Sequence, residues 1–162
     1  MAWETALSAA MQVAITTAGF SGVVAAFGRR AAGGWTQADQ LLLQTLLTAS
    51  AAALVFSFLP FVSIDLARPE LAWRICSGAY VIYSIGIVIV RRSQHRGSRR
   101  WLLHLSPWIF GTVHAFVTVA LLANTIWVAS SSLYLLAVMW SLGVAFIAFV
   151  ALLLESWRAP PA

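Results

Sequence analysis

The sequence predicts an all-α integral membrane protein: one domain, a bundle of five transmembrane helices, N-terminus outside and C-terminus cytoplasmic. Three observations predict it. Apolar residues make up 61% of the 162-residue chain and charged residues only 9%. A soluble domain carries about 25% charged residues, so this chain has too little polar surface to cover itself in water. The apolar residues fall into five stretches, each near the roughly 20 residues that a helix needs to cross the hydrocarbon core. Clusters of arginine separate those stretches on alternate sides.

The expected spans are 5–27, 39–64, 71–90, 107–128 and 133–154. The first follows Met1-Ala2-Trp3-Glu4, with an acid where a signal peptide requires a basic region. With Arg29 and Arg30 behind it, this is the pattern of an N-out anchor. The second opens after Gly33-Gly34, where Thr36 and Asp39 resemble a capping box. Pro60 should kink it near its outer end, because proline brings no N–H to the carbonyl of Phe56. In the third, Pro69-Glu70 suits the first helical turn. Arg74 then interrupts the apolar run and leaves 75–90, about 24 Å of helix. Arg74 can snorkel outward, and Glu70, one turn before it, is placed for an ion pair. Ser106-Pro107 supplies a cap and a first-turn proline for the fourth. The serines at 130–132 make a tight turn, so the fourth and fifth helices should form an antiparallel hairpin.

Arginine asymmetry sets the orientation. The first connection holds Arg29 and Arg30, and the third holds Arg91, Arg92, Arg96, Arg99 and Arg100. In the second, Arg68 and Arg74 are balanced by Asp65 and Glu70, and the tail sets Arg158 beside Glu155. Trp3, Trp35, Trp73, Trp101, Trp108, Trp127 and Trp157 lie near span ends as an interfacial belt, and Trp140 alone falls inside a span. All ten basic residues are arginine, which fits a GC-rich genome and a bacterial cytoplasmic membrane. The isoelectric point near 10.7 invites a nucleic-acid reading. The positive charge sits in short loops beside apolar helices, so anionic lipid headgroups are the expected partner of Arg91, Arg92, Arg96, Arg99 and Arg100, and nucleic acid is not.

Several classes of activity lack their chemistry. No Asp, Glu or Arg lies near the middle of a span, whereas a proton- or sodium-coupled carrier needs a carboxylate at depth. No lysine is present for a retinal Schiff base, and Cys76 is the only cysteine, so no internal disulfide or thiol pair can form. One histidine within a span, His114, is too few for a membrane di-haem centre, with His104 interfacial and His95 in the basic loop. No phosphate-binding glycine loop follows a strand. No internal repeat is evident, and five spans do not divide into the two halves of an inverted-repeat transporter. The expectation is a protein without enzymatic activity, metal or cofactor.

Two patterns remain. Ala6, Ala10, Ala14, Ala18, Gly22 and Ala26 form a small-residue ladder at a spacing of four, echoed by Thr45, Ala49, Ala53 and Ser57, and by Ala137, Ser141 and Ala145. Such residues let helix backbones approach closely in lipid. Ala14, Ala18, Gly22 and Ala26 are therefore the expected packing interface. The row precesses by about 40° per step on a helix of 3.6 residues per turn, so all of it cannot face one straight partner. The second pattern is polar: Ser8, Gln12 and Thr16 continuing towards Gly19, then Gln44 with Thr48, Tyr80 with Ser84, and Thr112, His114 and Thr118. Groups of this kind either bond one another across helices or line a narrow uncharged path. His114 either hydrogen-bonds a neighbouring helix or acts as a proton-sensing or pore-lining group.

Gly19-Phe20-Ser21-Gly22 reads GxSG and resembles the tetrapeptide around the nucleophile of rhomboid proteases. The resemblance covers four residues. It implies a Ser21–His114 dyad, since both lie at similar depth, and an intramembrane hydrolase as a third reading. The chain departs from that family in having five spans rather than six or more. Ser21 sits near the cytoplasmic end of its span rather than at the start of a helix, and Ala115 rather than glycine follows His114.

The leading expectation is a homo-oligomeric pore or facilitator for a small solute or ion, with Gln12, Thr16, Gln44, His114 and Asn124 along its path. The alternative is a non-catalytic subunit or assembly factor of a larger membrane complex, held to a partner membrane protein through the first helix.

Overall fold

The structure, a computed structural model, describes residues 2–31, 37–64, 68–94 and 107–158. Its helices are α1 (Ala2–Ala31), α2 (Gln37–Ile64), α3 (Pro69–Gln94), α4 (Pro107–Ala123) and α5 (Ser131–Arg158), and a single π-turn, Asn124–Val128, extends α4. No strand occurs among the described residues. Five helical stretches are long and apolar enough to cross a membrane: Trp3–Val23, Asp39–Ser63, Glu70–Val90, Phe110–Val128 and Ser131–Leu154. All five overlap the spans expected from hydropathy.

The differences lie at the ends. α3 starts at Pro69, with the N–H of Ala72 on the carbonyl of Arg68 at 3.1 Å, and is apolar enough to span from Glu70. Arg74 does not shorten it, because a charged side chain leaves the backbone bonding of the helix intact and the apolar residues around it keep the whole segment Glu70–Val90 apolar enough to span. No ion pair joins Glu70 to Arg74. α2 continues helically through Pro60. α4, expected to run evenly to residue 128, is α-helical only to Ala123. The turn residues Gly33, Gly34, Thr36 and Ser106 and the loop residues Arg96, Arg99 and Arg100 lie outside the described residues. So do the side chains of Ala26, Arg91 and Arg92.

The chain divides into two compact units. The first comprises α1, α2 through Phe58, and α5 from Val138 onward. Its core is built from small residues. Leu46 and Ala49 of α2 cluster with Ala145 and Ala148 of α5, flanked by Val144 and Phe149. Both shorter ladders stay inside: Thr45, Ala49, Ala53 and Ser57 are all buried, as are Ala137, Ser141 and Ala145. The α1 ladder does not stay inside. Ala10 and Ala14 are buried, Ala18 is half-buried and Gly22 is exposed, which is the precession that a four-residue spacing imposes. What α1 buries follows a seven-residue seam instead, Leu7, Ala10, Ala14 and Ser21. Phe20 of α1 meets Phe149 of α5 edge to face, with centroids 5.5 Å apart.

The second unit comprises the end of α2 from Leu59, α3, α4 with its π-turn, and α5 up to Ala137. Cross-helix hydrogen bonds tie it together. Tyr80 of α3 donates to the carbonyl of Ala137 at 2.8 Å, and Trp73 packs against the buried ring of Tyr134, centroids 5.7 Å apart. Gly78 sits where an added Cβ would lie 3.5 Å from Thr125, so α3 and the π-turn are already in close approach.

Candidate functional site

The polar residues singled out from the sequence separate into two groups. Asn124 and His114 are engaged inside the second unit. Gln12, Thr16 and Gln44 are exposed on helices of the first.

Asn124 is fully buried at the start of the π-turn. Its Oδ1 accepts the N–H of Ser130 at 2.6 Å. Its Nδ2 donates to the carbonyl of Ser130 at 3.0 Å and to Ser77 Oγ of α3 at 2.8 Å. The amide orientation is therefore set by the backbone, since the N–H of Ser130 can only donate and its carbonyl only accept. The main-chain oxygen of Asn124 also accepts the N–H of Ala129 at 3.0 Å, five residues on. This bond closes the π-turn and holds Ala129 in the left-handed region at φ 52°. Ser130 is then the N-cap of α5, its Oγ accepting the N–H of Ser132 at 3.2 Å. One asparagine thus ends α4, fixes the connection to α5 and fastens both to α3.

His114 takes part in a closed ring of hydrogen bonds whose directions follow from counting protons. Thr118 Oγ1 lies 2.8 Å from the carbonyl of His114 and must donate to it. Its single hydrogen is then used, so Ser84 Oγ, 2.8 Å away, donates to Thr118. Ser84 in turn has no hydrogen left for His114 Nε2 at 2.9 Å, so Nε2 carries the proton and donates. The assignment is an inference from the network. It gives the imidazole a fixed orientation, with Nε2–H held on α3. On the other side of the buried Tyr80, Cys76 and Ser63 form a further pair at 3.1 Å. The Ser63 hydroxyl donates to the carbonyl of Leu59 at 2.8 Å, so the thiol donates to Ser63.

The exposed group is different. Thr16 Oγ1 turns back to the carbonyl of Gln12 at 2.8 Å, and Thr48 Oγ1 to that of Gln44 at 2.7 Å. The side-chain amides of Gln12 and Gln44 have no hydrogen-bond partner among the described residues. Gln12 lies one residue from the midpoint of Trp3–Val23. Thr112 is exposed and Ser8 half-buried.

The two residues of the rhomboid-like reading have other partners. Ser21 is buried and donates to the carbonyl of Ala18, and His114 presents Nε2 to Ser84. Among the described residues no group of three or more His, Cys, Asp or Glu could hold a metal ion. What sequence reasoning missed is the partnership of Asn124 with Ser77 and Ser130. The one signal available was an asparagine six residues before the cap serine of the next helix. Comparison with protein-family models, with characterised proteins and with solved structures finds no match to this chain.

Proposed function

We propose that this protein is the subunit of a homo-oligomeric membrane pore or facilitator for a small, uncharged or weakly charged solute, with the path between subunits. The observation that carries this reading is the division of the polar residues. Asn124 and His114 are tied to neighbouring helices, which makes them the scaffold. Gln12, Thr16 and Gln44 face outward, with two amides unpartnered among the described residues. An amide placed in hydrocarbon without a partner costs about 4–8 kcal/mol, so these positions call for water or another protein. Facing a common axis, hydroxyls and amides replace a permeant's hydration. Arginine asymmetry puts the N-terminus outside and the basic loop against anionic headgroups, in a bacterial cytoplasmic membrane.

The same unpartnered amides favour a second reading, a non-catalytic subunit or assembly factor whose polar face closes against a different membrane protein. Solute and ion flux through liposomes holding the purified protein separates the two. A pore gives flux that Gln12→Ala alters and Ser84→Ala, at a scaffold position, leaves within about twofold where folding is intact. No flux from folded, inserted protein sinks the pore and leaves the accessory subunit.

A further inference from the structure

Glu70 and Arg74 of α3 stand in the order and spacing that pair an acid with a base along a helix. No ion pair or hydrogen bond joins them, and neither side chain has such a partner among the described residues. Glu70 is exposed and Arg74 half-buried. They also differ in depth. The apolar segment Glu70–Val90 begins at Glu70. The carboxylate therefore stands at the rim of the span and the guanidinium-bearing residue about 6 Å inside it, at 1.5 Å of rise per residue. The bonds Ser84–Thr118 and Ser77–Asn124 show that α3 and α4 run antiparallel. Three residues beyond Ser77 and Asn124 towards the same end, Arg74 is level with Trp127. That indole is exposed in the last turn of the segment Phe110–Val128, where tryptophan marks the headgroup level.

From this arrangement we infer that Glu70 and Arg74 hold the headgroup of a zwitterionic aminophospholipid, its phosphate on Arg74 and its ammonium on Glu70. Three points select this ligand. A guanidinium inside the rim of an apolar span needs an anion within reach of its snorkelling stem. Its planar fork of donors matches the oxygens of a phosphate. One turn nearer the water, Glu70 repels a headgroup of net negative charge and attracts an ammonium, which lies on the water side of the phosphate in such a lipid. The helix thus presents its two unlike charges in the order in which the headgroup presents their counterparts. A primary ammonium also donates hydrogen bonds to a carboxylate, which a quaternary one does not.

This site is separate from the arginine-rich loop expected to meet anionic headgroups, which follows the other end of α3. It is also independent of whether the protein conducts a solute, since both residues belong to one helix of one chain.

The test is native mass spectrometry of the purified protein in detergent, titrated separately with phosphatidylethanolamine, phosphatidylcholine and phosphatidylglycerol of the same acyl chains. Phosphatidylethanolamine should bind tightest. Arg74→Gln should weaken its binding about fivefold, the scale of one basic residue against lipid phosphate. Glu70→Gln should remove its advantage over phosphatidylglycerol. The double variant Glu70→Arg with Arg74→Glu keeps the net charge and reverses the order, and should lose the preference too. Where that variant fails to fold, the two single substitutions decide. Equal affinity for the three lipids, or phosphatidylethanolamine binding indifferent to Arg74→Gln, overturns the inference and leaves the two residues to water or to one another. Soluble phosphoethanolamine bound as tightly as the lipid would assign the charges to a free phosphate ester and overturns it as well. Asp65 lies outside the described residues; a headgroup preference lost in Asp65→Asn and kept in Glu70→Gln likewise overturns it.

Discussion

The two units associate their helices by different means. In the first, α2 and α5 meet through Ala49, Ala145 and Ala148, and the hydroxyls of Thr16, Thr17 and Ser21 turn back onto their own helix. Two buried hydroxyls, Ser50 and Ser57, have no hydrogen-bond partner among the described residues. In the second, Asn124, Ser77, Ser84, His114 and Tyr80 bond across helices. In lipid, apolar surface supplies no drive for helices to meet, so close van der Waals contact and interhelical hydrogen bonds are what remain. Both occur in this chain: the α2–α5 cluster is contact of the first kind, and the Asn124–Ser77 and Ser84–His114 bonds are of the second. The difference predicts which substitutions each unit tolerates. The small-residue unit should resist loss of a hydroxyl and fail on added volume. The hydrogen-bonded unit should fail on loss of a polar group.

The largest expected effect is at Asn124. Asn124→Ala removes three side-chain hydrogen bonds and strands the N–H of Ser130 and Ser77 Oγ, while the carbonyl of Ser130 keeps the N–H of Tyr134 at 3.4 Å. Each buried group left unpaired costs about 1–3 kcal/mol, so the variant should lose about 2 kcal/mol or more in reversible unfolding from mixed micelles. A loss below about 1 kcal/mol would show that the clamp is incidental. Next in size is Ala145→Leu, which forces a larger side chain into a fully buried site against Leu46 and Ala49. Overpacking of this kind costs about 1–3 kcal/mol, and a neutral result would mean that the α2–α5 contact is looser than described.

The smallest effect sharpens the comparison most, because it sets the same substitution in both units. Ser84→Ala breaks two links of the His114 ring and should cost roughly 0.6–1.7 kcal/mol, the range for such bonds in membranes. It should also shift the 15N resonance of Nε2, which carries the proton in the intact protein. Ser50→Ala removes a hydroxyl that satisfies nothing and should be neutral or slightly stabilising. Equal losses at both positions would erase the distinction between the units.

Much of this was legible in the sequence. Each span could be placed from hydropathy because crossing a bilayer is a requirement on length and composition, which any run of about 20 residues states openly. The break between the fourth and fifth helices at the serines 130–132, and Pro69 and Pro107 in first helical turns, were readable for a similar reason: turn and first-turn preferences are local. The ladders of α2 and α5 were legible as rows suited to close approach, and both are buried. The α1 ladder is only partly buried, because a period of four names a row that winds around its helix, and only the neighbouring helices decide where that row leaves the contact. The candidate site was legible as a set of residues and not as an arrangement. Gln12, His114 and Asn124 are alike on paper, each a polar group in an apolar stretch.

By itself, then, the amino-acid sequence determined that five apolar helices lie among the described residues, roughly which stretch each occupies, and which polar groups they carry. Those properties depend on residues within a few positions of one another. Tertiary structure alone decided that Asn124 closes the α4–α5 connection onto Ser77, that Ser84 orients His114, and that Gln12 faces away from its own chain. These are relations between helices far apart in sequence. A helix offers several faces at once, and packing settles which of them is covered.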